Sequence, residues 1–228
     1  MEAVKVVLNL LIIAALGVLV GRAALNLRLA FKSHEDRAER SRLVKRAGMG
    51  VMGSFGVAFL AFAIGEPMAD PGGWKGAGIV ASWLVPLTGI GLLIRFKPDW
   101  AKYLLGVLTV GAVSVTVWAI LDENVRRYED SHGPVTMVVL LVVAFAAAGL
   151  GYYRPRPAAA MLLACALVPV PFAMATPVEA GPGLVLYLVV GLPMAVTAVL
   201  YLAAERISTG AGGARLSGGG RIGRPKSA

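Results

Sequence analysis

YLLGVLTVGAVSVTVWAIL, residues 103–121, runs for nineteen positions without a charged side chain. An α-helix rises about 1.5 Å per residue, so this stretch is about 28 Å long, close to the thickness of a bilayer's hydrocarbon core. In a soluble domain such a helix needs protein on every side. In a membrane it needs only lipid and a few neighbouring helices.

Reading outward from it, the same pattern recurs. Apolar segments lie at about 3–21, 47–65, 77–94, 103–121, 135–153, 158–176 and 183–203. The composition agrees, with 57% of residues hydrophobic and only 15% charged, too little charge to coat a soluble surface. The first segment has one lysine within its opening turns, while its dense positive charge follows it. That is the mark of a retained anchor with its N-terminus outside, not of a cleaved signal peptide. We therefore expect an all-α, polytopic bundle of seven transmembrane helices, N-terminus outside and C-terminus inside.

The basic residues set that orientation. Eighteen of the 22 Lys and Arg fall in the inward segments 22–46, 95–102, 154–157 and 204–228; the outward ones are Lys5, Lys75, Arg126 and Arg127. Eight of the 13 acids lie outward. The pI near 10.1 thus follows from the positive-inside bias, and nucleic acid is not an expected partner. The expected location is the cytoplasmic (plasma) membrane, with the lipid bilayer as first partner.

Two domains follow: a bundle over 1–204 and a tail over 205–228. The polar segment 22–46 reads as the first cytoplasmic loop, a solvated extension of spans one and two. Ser33 and Asp36 suit a helix start, and Leu27, Phe31 and Ala38 give the segment a weak apolar side. The tail ISTGAGGARLSGGGRIGRPKSA is Gly-rich and basic without apolar periodicity, so we expect disorder. A weak repeat links GLLIRFKPDWAKYLL (91–105) to GLGYYRPRPAAAMLL (149–163), with Pro98 matching Pro155 at an offset of 57. It makes spans three and four a parallel counterpart of spans five and six.

Small residues mark the expected helix contacts. Gly50, Gly53 and Gly56 line one side of span two, and Ala144 and Ala148 one side of span five, where backbones approach closely. Such faces serve intramolecular packing, a homo-oligomer or a membrane-protein partner. Pro86, Pro169, Pro171 and Pro193 kink spans three, six and seven, and each frees a carbonyl that protein or water must satisfy.

Chemistry has few residues to work with. No ionisable side chain lies near the centre of a span, where proton relays and ion-coupled carriers keep theirs. His34 and His132 are in polar loops, so no histidine pair ligates haem within the bundle. The single Cys165 makes neither an internal disulfide nor a cysteine-rich metal site, and span seven has no lysine to hold retinal. No cofactor or metal is expected. Acids do gather at the outer ends, with Glu66 and Asp70 after span two and Asp122 and Glu123 after span four. In size and span count the chain is similar to the integral-membrane terpene cyclases, and no residue is carried over from them.

Three functions stay open. The expected one is a non-catalytic accessory, regulatory or complex-forming membrane subunit. The second is a carrier for a small neutral or apolar solute lined by the kinked spans. The third is a membrane-embedded enzyme whose outer acids act as acid and base on a lipid or isoprenoid-like substrate.

Overall fold

The computed structural model describes residues 18, 21–31, 37–69, 73–125, 135–171 and 181–217. Among these the chain is helical, with no strand. Six long helices follow in order: α1 (Arg37–Ala69), α2 (Gly73–Phe96), α3 (Pro98–Leu121), α4 (Val135–Gly151), α5 (Pro155–Leu167) and α6 (Gly181–Ser217). Residues 21–31 form a further helical stretch. Three segments among the described residues are long and apolar enough to cross a membrane: Gly73–Phe96, Pro98–Leu121 and Val190–Thr209. Thr136–Gly151 and Pro155–Pro171 are apolar but shorter. These are the features of a helical membrane protein. Apart from positions 18 and 21, the first apolar segment lies outside the described residues.

α4 is the central helix. It touches all five other long helices, and nearly every described side chain on it is buried or half-buried. Its sequence VTMVVLLVVAFAAAGLG is apolar on all sides, as a helix surrounded by protein requires. α3 instead buries one stripe, Ala101, Leu105, Thr109, Ala112, Thr116 and Ala119, at the three- and four-residue spacing of a single helix face. Its other side, including Val107 and Val110, is exposed. α6 closes the bundle by packing most extensively against α1 and α5.

α1 has 33 residues and α6 has 37. At about 1.5 Å per residue both exceed the ~30 Å hydrocarbon thickness, so they project beyond the apolar zone. The projecting ends pack together. The Ser41 hydroxyl donates to the Ala204 carbonyl at 2.8 Å, and Val44 and Ala204 form a small cluster with Ala30 of the stretch 21–31. The Arg40 guanidinium lies 5.9 Å from the Phe31 ring centroid. The polar segment 22–46 thus contributes buried alanines to a packed helical end. Ser33 and Asp36, the expected helix start, lie outside the described residues.

Across the expected boundary at 204/205, α6 continues as helix to Ser217. Ala203, Ala204, Glu205 and Arg206 are good helix formers, and Ile207 packs against the Ala30–Val44–Ala204 cluster. The remainder of the expected tail, 218–228, lies outside the described residues.

The two turns of the sequence repeat share one geometry. Lys97 before Pro98 has φ −138° and ψ 65°, and Arg154 before Pro155 has φ −131° and ψ 77°. A residue preceding proline is pushed out of the helical region, and proline at the first helical position lacks only an N–H that would have no partner. The hydrogen bonds match at the offset of 57: Lys97 N to Leu93 O at 2.7 Å, and Arg154 N to Leu150 O at 2.8 Å. Ala101 and Leu105 are fully buried, as are their counterparts Ala158 and Leu162. Gly73 opens α2 with φ 54°, a left-handed conformation that costs glycine nothing.

Candidate functional site

The most elaborate polar arrangement lies where α1, α4 and α6 meet. On α6, Val190, Met194, Thr197, Tyr201 and Ala204 recur at three- and four-residue spacing, and all are buried. Among the described residues, Tyr201 is the largest fully buried side chain. Its ring occupies the space that a Cβ at Gly151 would need, and a Cβ at Gly48 would lie 3.0 Å from the ring. Its hydroxyl donates to the Ala148 carbonyl at 2.7 Å. One turn away, Thr197 donates to the Gly48 carbonyl at 3.3 Å. Tyr201 is therefore clamped between α1 and α4 by two glycines that admit its ring and one carbonyl that accepts its hydrogen bond.

Other hydroxyls are satisfied in the same manner. Thr109 donates to Leu105 O, Thr116 to Ala112 O and Ser54 to Val51 O, all at 2.7–2.8 Å. Among the described residues the buried polar side chains are Ser41, Ser54, Thr109, Thr116, Thr136 and Thr197, and no charged side chain is buried. No group of three His, Cys, Asp or Glu there stands ready to hold a metal.

The small residues named from the sequence fall in different places. Ala144 and Ala148 are buried in the central helix. Gly56 lies beneath the Phe145 ring, which fills the position of its absent side chain. Gly50 is half-buried, and a Cβ at Gly53 would meet no atom within 4 Å. The contact with α4 is thus three residues beyond Gly53, at Gly56. Gly48 and Gly191 also make close approaches; a Cβ at Gly191 would lie 3.1 Å from the Ala166 carbonyl oxygen of α5.

The prolines do not share one lining. Pro86 lies on the exposed side of α2, which packs mainly against α1, α3 and α4. Pro169 is buried, and α5 is interrupted at Val168 just before it. Pro171 is exposed, and Pro193 is half-buried within α6.

Of the acids expected to face outward, Asp122 caps the end of α3, where its carboxylate accepts from the backbone N–H of Asn124 at 2.8 Å and of Val125 at 3.4 Å. Glu123 is exposed beside it. Glu66 lies on the helical backbone of α1, and Asp70 lies outside the described residues.

At the opposite end of α3 the two proline turns are tied together. The Arg154 guanidinium donates to Asp99 Oδ1 at 2.7 Å, and Lys102 Nζ lies 4.0 Å from the same oxygen.

Sequence reasoning missed Tyr201 because a tyrosine near the end of an apolar run also suits an interfacial belt. Its signal was Thr197 one turn away, which puts two hydroxyls on a single face of α6. No family model matches the chain, and neither a curated protein nor a solved structure is similar to it.

Proposed function

We propose that the chain is a seven-span protein of the cytoplasmic membrane, N-terminus outside and C-terminus inside, acting as a non-catalytic accessory or complex-forming subunit. Supporting the placement, exposed aromatics stand at two levels. Trp118 marks one end of α3 and Trp100 the other, eighteen residues and thus ~27 Å apart. Trp74 lies at the start of α2 and Phe96 at its end. Aromatic side chains collect at both interfaces of a bilayer.

One observation carries the functional half. Ser41, Thr197 and Tyr201 donate to main-chain carbonyls of neighbouring helices, and Ser54, Thr109 and Thr116 to carbonyls of their own, so the first three hydroxyls brace helices and all six are engaged by backbone. Proton and ion pathways are lined instead by ionisable groups paired across a cavity.

Reporter fusions test the topology. A periplasmic reporter should be active after Gly72 and silent after Ala38 or at the C-terminus; an active C-terminal fusion means that the spans are miscounted. Purification from native membranes in mild detergent tests the role. A stoichiometric partner should survive it, whereas a deletion strain that accumulates a solute or lipid with no partner present would overturn the subunit reading.

A further inference from the structure

We propose that the two proline turns together bind the headgroup of an anionic phospholipid. The proposal rests on the membrane reading above. Arg95, Lys97, Lys102, Arg154 and Arg156 gather on these turns around one acid, Asp99. Asp99 already engages Arg154 and Lys102. Arg95, Lys97 and Arg156 are exposed, and no ion pair with a described acid holds them. The Asp99–Arg154 bond spans 55 positions of sequence and holds one turn beside the other, which brings the basic residues of both turns to one end of the bundle.

Two further features select a lipid over a soluble anion. Exposed Trp100 and Tyr103 stand beside these cations on α3, and exposed Tyr152 and Tyr153 stand on the second turn. Amphipathic rings of this kind sit at headgroup level. From there Val107 and Val110 continue up the exposed side of α3 and offer an apolar track to an acyl chain. A phosphodiester with its chains on that track meets the cations without first crossing water, and basic pockets between transmembrane helices are suited to such headgroups. The far end of α3 provides an internal control. Trp118 is also exposed there, but in the sequence that follows it, residues 122–130, the acids Asp122, Glu123, Glu129 and Asp130 outnumber Arg126 and Arg127.

The test uses two full-length proteins in which three of the four tryptophans are Phe, one retaining Trp100 and the other Trp118. Each is reconstituted in phosphatidylcholine bilayers containing increasing brominated phosphatidylglycerol or brominated phosphatidylcholine, and quenching gives the relative affinity of the two lipids. Trp100 should report a preference of about fivefold or more for phosphatidylglycerol, the scale of one cation at an anionic surface, while Trp118 reports almost none. Lys97→Gln and Arg156→Gln should each reduce the Trp100 preference severalfold, and 0.5 M salt should weaken it. Equal preferences at the two tryptophans, or a Trp100 preference unchanged by both glutamines, would overturn the proposal. Each glutamine substitution is also made in the Trp118 protein, and there quenching by brominated phosphatidylcholine verifies that the variant inserts. If neither tryptophan is quenched by either lipid, the membrane reading itself fails, which is a separate result.

Discussion

α2 and α6 both contain a stretch that can cross a membrane, yet α2 is the more apolar and the less buried of the two. In its most apolar window 6% of residues are buried, against 39% for Val190–Thr209 of α6. A soluble protein would show the reverse order. Lipid tails are as apolar as leucine, so hydrophobicity gives a helix no preference between lipid and protein. What draws α6 inward is shape and hydrogen bonding: Gly191 against the Ala166 backbone, Thr197 to Gly48, Tyr201 to Ala148. On α2, by contrast, Ser82 and Thr88 bond only to their own helix, and a Cβ at Gly78, Gly89 or Gly91 would meet no atom within 4 Å.

The largest expected effect comes from removing the clamp on the α6 side. Tyr201→Ala leaves a cavity between α1 and α4 and should cost about 3–5 kcal/mol, the scale for truncating a large buried ring. Tyr103→Ala, at a ring that is 67% exposed, should stay within about 0.5 kcal/mol. Tyr201→Phe should fall between, at about 1 kcal/mol, since it keeps the ring and loses one buried hydrogen bond. Reversible unfolding in mixed micelles measures all three. Equal losses for the two alanine variants would show that the α2–α3 side is as tightly held as the α6 side.

A smaller effect sharpens the comparison without creating a cavity. Gly151→Ala pushes a methyl group into the Tyr201 ring, and Gly56→Ala pushes one into Phe145. Each should lower stability by roughly 1–3 kcal/mol through overpacking. Gly53→Ala and Gly89→Ala meet open space and should be neutral or slightly stabilising, because alanine favours a helix by up to about 1 kcal/mol over glycine. The Gly53 and Gly56 pair is the sharper half of the test, since both lie on α1 three residues apart. A larger loss at Gly53 would mean that another surface covers that side of α1.

The helices were legible in the sequence because a lipid-spanning helix advertises itself by length and lack of charge, as residues 103–121 do. The proline turns were legible too, because X-Pro restricts both residues and the 57-residue offset repeats the restriction. Which small residues touch was not. Gly50, Gly53 and Gly56 share their spacing, but only the position of Phe145 on a helix some ninety residues away distinguishes Gly56 from Gly53. Tyr201 was hidden for the same reason, since its partners Gly48 and Ala148 lie on two other helices. The helical course just past 204 was obscured by composition: a Gly-rich tail reads as disorder, whereas Ile207 packs against the cluster of Ala30, Val44 and Ala204 and gives the helix a reason to continue there.

The smallest expected effect lies at the Leu121 end of α3, where an acid has a structural task. Asp122 Oδ1 accepts the backbone N–H of Asn124 and Val125, the first groups of the helical turn 123–125. Aspartate and asparagine are about equally good at such a position because each offers one side-chain oxygen, whereas alanine offers none. Asp122→Ala should therefore cost about 1 kcal/mol, and Asp122→Asn a few tenths at most. The same pair separates structure from catalysis. A capping oxygen survives conversion to the amide, but a carboxylate acting as acid or base does not. We expect the Asn variant, like Glu66→Gln on α1, to insert normally and to complement a deletion strain as well as the parent chain. If Asp122→Asn keeps the parent's unfolding midpoint but abolishes complementation, the carboxylate is needed for its chemistry. The Asp122 end of α3, not the Tyr201 clamp, would then be the functional centre.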